Sequence, residues 1–243
     1  QRLFPFISGF NSTDIGAVDM VVKRVKEFPG LWEGIGEVMS RHDDLTNLIT
    51  GERSYADHPS IHRLSDFAGT FHLPVSIHHN IAPISPGNQK KKPVYLPEIL
   101  RLFDAHPKTQ FIWCHAGISR RIFVKNLPGL LDTILSTKKR YKHVYIDLSW
   151  VIYENYIYDL SQGIDNRHQW AELISKFPTN FMIGSDAVAN FGNYKKEMNK
   201  FNSLFEVLYV YPSGEQLVKK VAHENFKNLM LKLREKRGGS GGI

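Results

Sequence analysis

Short apolar runs alternate with longer stretches of helical periodicity along almost the whole chain. Residues 2–10 (RLFPFISGF) read as a strand leading into Asn11-Ser12-Thr13-Asp14, a cluster of helix N-cap residues. Ile15, Val18, Val21, Val22, Val25 and Phe28 then recur at helical spacing until Pro29-Gly30. Residues 34–39 form the next strand, and a long polar segment, 40–57, holds Arg41-His42-Asp43-Asp44. His58-Pro59 opens a helix with an apolar face of Ile61, Leu64, Phe67, Ala68 and Phe71, followed by a strand after Pro74. A Pro/Gly/Lys-rich loop at 80–93 precedes a helix at 96–103 and a strand at 110–114. The pattern then predicts a helix over 118–135, broken at Pro128-Gly129, and a strand over 144–148. An aromatic-rich loop or short helix follows at 150–158, then a helix over 168–177 and a strand over 180–185. Helices over 194–208 and 213–233, the second restarting near His223, close the chain. Six strands alternating with helices indicate parallel β-α units and an α/β fold.

The strand ends carry chemistry. Val75-Ser76-Ile77 stops on His78, His79 and Asn80, and Phe111-Ile112-Trp113-Cys114 stops on His115-Ala116-Gly117. Phe181-Met182-Ile183-Gly184-Ser185 ends on Asp186, Gly34-Ile35-Gly36 on Glu37, and Val144-Tyr145-Ile146 on Asp147. A polar residue is a natural way to leave any single strand. Five in series, each able to bind a metal or move a proton, place a site at the carboxyl ends of the sheet, where α/β folds gather their ligands.

Size and charge narrow the class. The 243 residues suit one large α/β domain, near the roughly 250 residues of an eight-stranded β/α barrel. Residues 1–237 read as that single domain, and 238–243 as a flexible Gly/Ser tail. The net charge of +7 is dispersed, and its densest runs, Lys90-Lys91-Lys92 and Lys138-Lys139-Arg140, fall in loops. Such dispersion argues against nucleic acid and fits an anionic small-molecule substrate. One cysteine, Cys114, excludes a disulfide framework and a cysteine zinc cluster, and it is compatible with a reducing, cytoplasmic setting. No stretch approaches the ~20 apolar residues needed to cross a membrane.

The order Gly-Ile-Gly-Glu at 34–37, Pro-Val-Ser-Ile-His at 74–78, Phe-Ile-Trp-Cys-His-Ala-Gly at 111–117 and Phe-Met-Ile-Gly-Ser-Asp at 181–186 resembles the amidohydrolase superfamily. Within it, the chain is most similar to the amidohydrolase-related (amidohydrolase 2) branch of metal-dependent hydrolases and decarboxylases. His-Glu-Asn-Phe-Lys-Asn-Leu-Met at 223–230 is similar to that branch's closing helix. The resemblance implies a (β/α)8 TIM barrel with one or two divalent metals, most often zinc, at the strand ends. It implies His78 as the fifth-strand ligand, His115 as the sixth-strand histidine and Asp186 as the eighth-strand aspartate at the metal or its water. Glu37 resembles the fourth-strand glutamate, a ligand in some branches and not in others. The family's first strand carries a His-x-His pair, and no His-x-His occurs here. The six strands match the family's third to eighth. The first two β-α units are therefore expected before Gln1 or on another piece.

This resemblance implies a metal-bound hydroxide attacking a C–N or ester-type carbonyl of a small carboxylated substrate, with Asp186 shuttling the proton and His115 steadying the oxyanion. Arg120, Arg121, Arg41 and His42 are candidates for gripping a carboxylate, with a solvated or salt-bridged role open for the arginines, and Asn80 joins the substrate-facing group. His79 and Asp147 read as partners of site histidines, or as strand-end hydrogen bonding. Trp150, Tyr153 and Tyr156 either line an aromatic pocket or pack. His72, His106, His143, His168 and His223 are expected at the surface. The alternatives are a non-hydrolytic decarboxylase on the same scaffold and a truncated, inactive barrel that holds no metal alone; the partner expected besides substrate is a second copy, in a homodimer.

Overall fold

The alternating runs become eight strands and nine helices among the described residues. A computed structural model of the chain describes residues 3–42, 53–137, 141–187 and 191–239. The Asp43-Asp44 pair and the Lys138-Lys139-Arg140 run lie outside them. Strands β1 (Phe6–Ile7), β2 (Gly34–Ser40), β3 (Val75–His79), β4 (Phe111–Trp113), β5 (Val144–Asp147) and β8 (Phe181–Met182) build one six-stranded parallel sheet in that order. Each is joined to the next by helical segments: α1 (Ala17–Glu27), α2 (Pro59–Thr70), α3 (Leu96–Ala105), α4 (Leu127–Ser136) and α5 (Arg167–Lys176). Between β5 and α5, a small antiparallel pair, β6 (Tyr158–Asp159) with β7 (Ile164–Asp165), interrupts the pattern. Helices α6 (Phe191–Lys200), α7 (Asn202–Tyr209), α8 (Gly214–Lys219) and α9 (Asn225–Gly239) follow β8.

Side chains on a strand alternate between its two faces. Phe111 and Trp113 therefore join the large core beneath the helices, with Ile77, Ile146 and Phe181. Ile112 and Met182 point the other way and meet Leu229, Met230 and Leu233 of α9, flanked by Phe4, Phe6, Tyr145 and Phe226. Helix α9 thus covers the face that would be the interior of a closed barrel. It is fastened at both ends. Asn225 donates through Nδ2 to the carbonyls of Phe181 (2.8 Å) and Pro178 (2.9 Å), and Arg234 and Arg237 clasp the buried Glu33. The α/β class and parallel order agree with the sequence pattern; β1 and β8 remain the two edges of the sheet among the described residues.

Element ends differ from the pattern for local reasons. Asn11 and Asp14 close turns onto the N–H groups of Thr13 (3.0 Å) and Gly16 (2.8 Å), so α1 starts only at Ala17. Residues 118–126 are not helical. Asn126 caps α4, accepting from the N–H of Gly129 at 3.1 Å, and Pro128 sits in the first turn, where a missing N–H costs nothing. The expected 194–208 helix divides at the buried Phe201, and the last segment passes through a π-type turn, Lys220–Glu224, before α9. No described helix is long and apolar enough to cross a membrane.

Two histidines expected at the surface are buried. His143 donates through Nε2 to the carbonyl of Phe103 (3.0 Å), and His106 stacks its nitrogens against His62 and Asp66. Both follow a helix or a turn, and the ring swings back onto the packed layer. His79 lies on the helix-facing side of β3 and is fully enclosed, with Nε2 3.0 Å from the Tyr95 carbonyl and Nδ1 3.0 Å from Ser40 Oγ. Burial holds its pKa down at about 3. Below the unfolded value near 6.5 the unfolded chain takes up a proton that folded His79 refuses, so stability falls with pH. In urea titrations at pH 7.5 and pH 5, wild type is expected to lose about 1.4 kcal/mol per pH unit more than His79→Gln below pH ~6.5. Parallel losses in the two proteins would refute this.

Candidate functional site

The site begins with a break in register. Strands β2 and β3 pair at Ile35–Val75 and again at Val38–Ile77, so one extra residue is inserted between Ile35 and Val38. Such a bulge re-aims side chains beside active sites. Here it turns Glu37 toward the cavity at the strand ends. Gly36 supplies the required backbone: its φ is +124°, and an added Cβ would stand 2.2 Å from the Ser76 carbonyl oxygen.

Two histidines meet Glu37 from the next strands. His78 Nδ1 is 3.2 Å and His115 Nε2 is 3.7 Å from Glu37 Oε1. His115 sits at the mouth of β4 with φ +53°, followed by Ala116 and Gly117 also at positive φ, a rare run that swings its ring over the sheet end. One ligand atom from each of Glu37, His78 and His115 lies within 4.8 Å of the others.

Their outer atoms fix which nitrogen faces inward. Asn80 Oδ1 takes the His78 Nε2–H at 3.0 Å, leaving the Nδ1 lone pair toward Glu37. Ser149 Oγ takes the His115 Nδ1–H at 2.8 Å, with Asp147 Oδ2 behind it at 3.4 Å from the ring, so Nε2 faces inward. Ser149 in turn donates its hydroxyl to Asp147, and its backbone N–H to Asp147 Oδ1 at 3.1 Å. Partners of this kind set the tautomer and basicity of metal-binding imidazoles.

The electrostatics favour positive charge at this point. Burial pushes the Glu37 carboxyl up, yet the two neighbouring imidazoles outweigh it and hold the carboxyl well below the usual range. Burial pushes His115 down, and Glu37, Asp147 and Asp186 together raise it above its ordinary value. Glu37 Oε1 is buried without a hydrogen-bond partner among the described residues. An orphaned carboxylate oxygen facing two imidazole lone pairs fits a divalent cation with nitrogen and oxygen ligands, so these three residues could hold one.

The trio lines a cavity of ≈ 600 Å³, with Asp186, His42, Arg120 and Trp150 on the same wall. Asp186, at φ +48° after β8, reaches the cavity outside the 4.8 Å group. Burial raises its carboxyl pKa; His115 pulls the other way, and Glu37 and Asp147 add to the rise. His42 lies with its ring centroid 4.4 Å from that of His78, and burial followed by the charge of His78 lowers its pKa to about 4. Arg120 holds its guanidinium 5.3 Å over the Trp150 ring.

Two of the expected substrate contacts lie elsewhere. Arg41 is gripped by Glu98 through Nε (3.0 Å) and Nη2 (2.5 Å) and lies 4.2 Å over the Tyr95 ring, away from the cavity wall. Asn80 is buried behind His78, where it orients the ring rather than facing a substrate. Ser149 is not among the residues expected from the sequence, although its place two residues beyond Asp147 is a usable signal. Glu154, Glu197 and Lys200, an ion-paired group on the rim, left no such trace. Tyr156 packs, its hydroxyl accepting from the Val124 N–H at 2.8 Å.

Among solved structures, the chain is similar to an amidohydrolase from Burkholderia multivorans with bound zinc (TM-score 0.59, 14% identity, 93% of this chain and 73% of that one). It is similar to an uncharacterized TIM-barrel protein from Bordetella bronchiseptica (TM-score 0.58, 12% identity, 95% and 67%) and to 2,6-dihydroxybenzoate decarboxylase from Rhizobium (TM-score 0.50, 17% identity, 90% and 68%). At these identities the likeness establishes the barrel-type fold. No curated protein matches by sequence. The amidohydrolase family model matches residues 45–225, a span holding His78, His115 and Asp186. With that match over most of its length, the chain belongs to the amidohydrolase family.

Proposed function

We propose that the protein is a divalent-cation-dependent hydrolase that opens a C–N or ester-type bond in a small carboxylated molecule. The observation that carries this reading is the meeting of Glu37, His78 and His115 within 4.8 Å on the wall of a ≈ 600 Å³ cavity. A divalent ion held by these three residues would supply Lewis acidity toward a carbonyl oxygen and would lower the pKa of a water bound to it. Zinc is the proposed ion, because imidazole and carboxylate donors suit it.

The chain's own residues perform the remaining work. Asp186, raised by burial, takes the proton of the attacking water and returns it to the leaving group. Ser149 and Asp147 keep the His115 Nδ1–H engaged, so its ring holds one orientation. Arg120, braced on Trp150, pairs with the substrate carboxylate, and the net charge of +7 draws anions to the cavity.

A second reading, decarboxylation of a small unsaturated or aromatic acid, is favoured by the likeness to the Rhizobium enzyme. It is also favoured by Asp186, a raised acid able to protonate the carbon that loses carbon dioxide. Zinc- or manganese-loaded protein, incubated in ¹⁸O-water with a panel of small carboxylated amides, lactones and aromatic acids, separates the two. Hydrolysis places one ¹⁸O in the product. Carbon dioxide release with no ¹⁸O in the organic product would replace the first reading by the second.

A further inference from the structure

Away from the strand ends, α2 and the end of α3 bring a second group of imidazole and carboxylate side chains together. His62, on α2, and His106, the residue that ends α3, point ring nitrogens at each other: His62 Nδ1 and His106 Nε2 are 2.6 Å apart. Asp66, one turn along α2 from His62, stands 3.0 Å from the other nitrogen of His106, Nδ1. The His106 ring is almost fully enclosed, His62 is half-buried and the Asp66 carboxylate is exposed.

The proton accounting of this chain is specific. His106 spends its Nδ1–H on Asp66, so its Nε2 carries a lone pair aimed at His62. His62 fills the gap with its own Nδ1–H. A single proton therefore separates two imidazole nitrogens from different helices. If His62 moves that proton to its Nε2, both facing nitrogens become donors of lone pairs, with no net proton released. Asp66 already stands where a carboxylate supports a metal-bound histidine.

We propose that His62 and His106, with Asp66 behind His106, form a second cation site that takes a borderline transition metal such as zinc, nickel or copper(II). Ligands at 2.0–2.1 Å on a tetrahedral ion lie about 3.3 Å apart. The rings need to open by roughly 0.7 Å, within reach of small side-chain rotations at a half-buried helix face. The bound ion joins α2 to the end of α3 and stiffens that side of the sheet.

The test uses the full chain, stripped with chelator and titrated with nickel(II) and zinc(II) by calorimetry and thermal unfolding. Glu37→Gln leaves the α2–α3 site intact and is expected to retain one equivalent of metal. Adding His62→Asn, at a half-buried position, should weaken that remaining equivalent at least tenfold and abolish the metal-dependent rise in unfolding temperature. Copper(II) bound to Glu37→Gln should show nitrogen coupling in its electron paramagnetic resonance spectrum, reduced by His62→Asn. The proposal is overturned if Glu37→Gln binds no metal, or if the added His62→Asn changes neither affinity nor spectrum. Loss of the strand-end equivalent alone bears on the proposed function and leaves this site standing.

Discussion

Glu37→Gln is expected to lower turnover at least ~10³-fold and to strip the strand-end cation at metal concentrations that saturate wild type. The substitution keeps size and shape and removes one negative charge. That charge is what the site is built around: Glu37 Oε1 faces His78 Nδ1 at 3.2 Å and His115 Nε2 at 3.7 Å and has no hydrogen-bond partner among the described residues. An amide in its place offers a weaker oxygen donor or turns an N–H toward the would-be cation. A loss of several kcal/mol of transition-state stabilisation corresponds to that factor in rate. A variant with wild-type turnover on a substrate found in the ¹⁸O panel would remove Glu37 from the machinery.

Gly36→Ala is expected to cost about 3 kcal/mol or more of stability, the largest effect of any single methyl addition near the site. Two penalties combine. The backbone at φ +124° is barely open to an L side chain, and the new Cβ would stand 2.2 Å from the carbonyl oxygen of Ser76 on the neighbouring strand. That oxygen belongs to the sheet and cannot rotate aside. Gly9→Ala is the matched control, since Gly9 also has positive φ (+82°) but nothing lies within 4 Å of its added Cβ. It should cost only about 1 kcal/mol. Urea unfolding of both variants checks the difference, and equal losses would show that the close approach to Ser76 is not the cause. Because Glu37 follows Gly36 directly, surviving Gly36→Ala protein should also bind the strand-end cation more weakly.

The sequence makes the grammar of strand ends legible. His78, His115 and Glu37 each terminate or interrupt an apolar run, and parallel packing brings such ends together without help from distant sequence. Arg41 was not legible for the opposite reason. Its partner, Glu98, is 57 residues away on α3, and no local pattern announces that the guanidinium is already taken. Asn80 shows the limit of counting positions, since two residues beyond His78 it turns back to hold the ring. The burial of His106 depends on where the end of α3 meets the packed layer, and that of His143 on the turn before β5, tertiary facts with no periodic signature. Pro128 misled as a helix breaker because its place in the first turn of α4 depends on Asn126 acting as cap.

Anomalous scattering at the zinc edge from crystals of zinc-loaded protein tests the central claim most directly. A peak is expected about 2.0–2.2 Å from a Glu37 carboxylate oxygen, from His78 Nδ1 and from His115 Nε2 together. Zinc-loaded crystals with no peak among those three side chains, while they keep the positions described above, would contradict it.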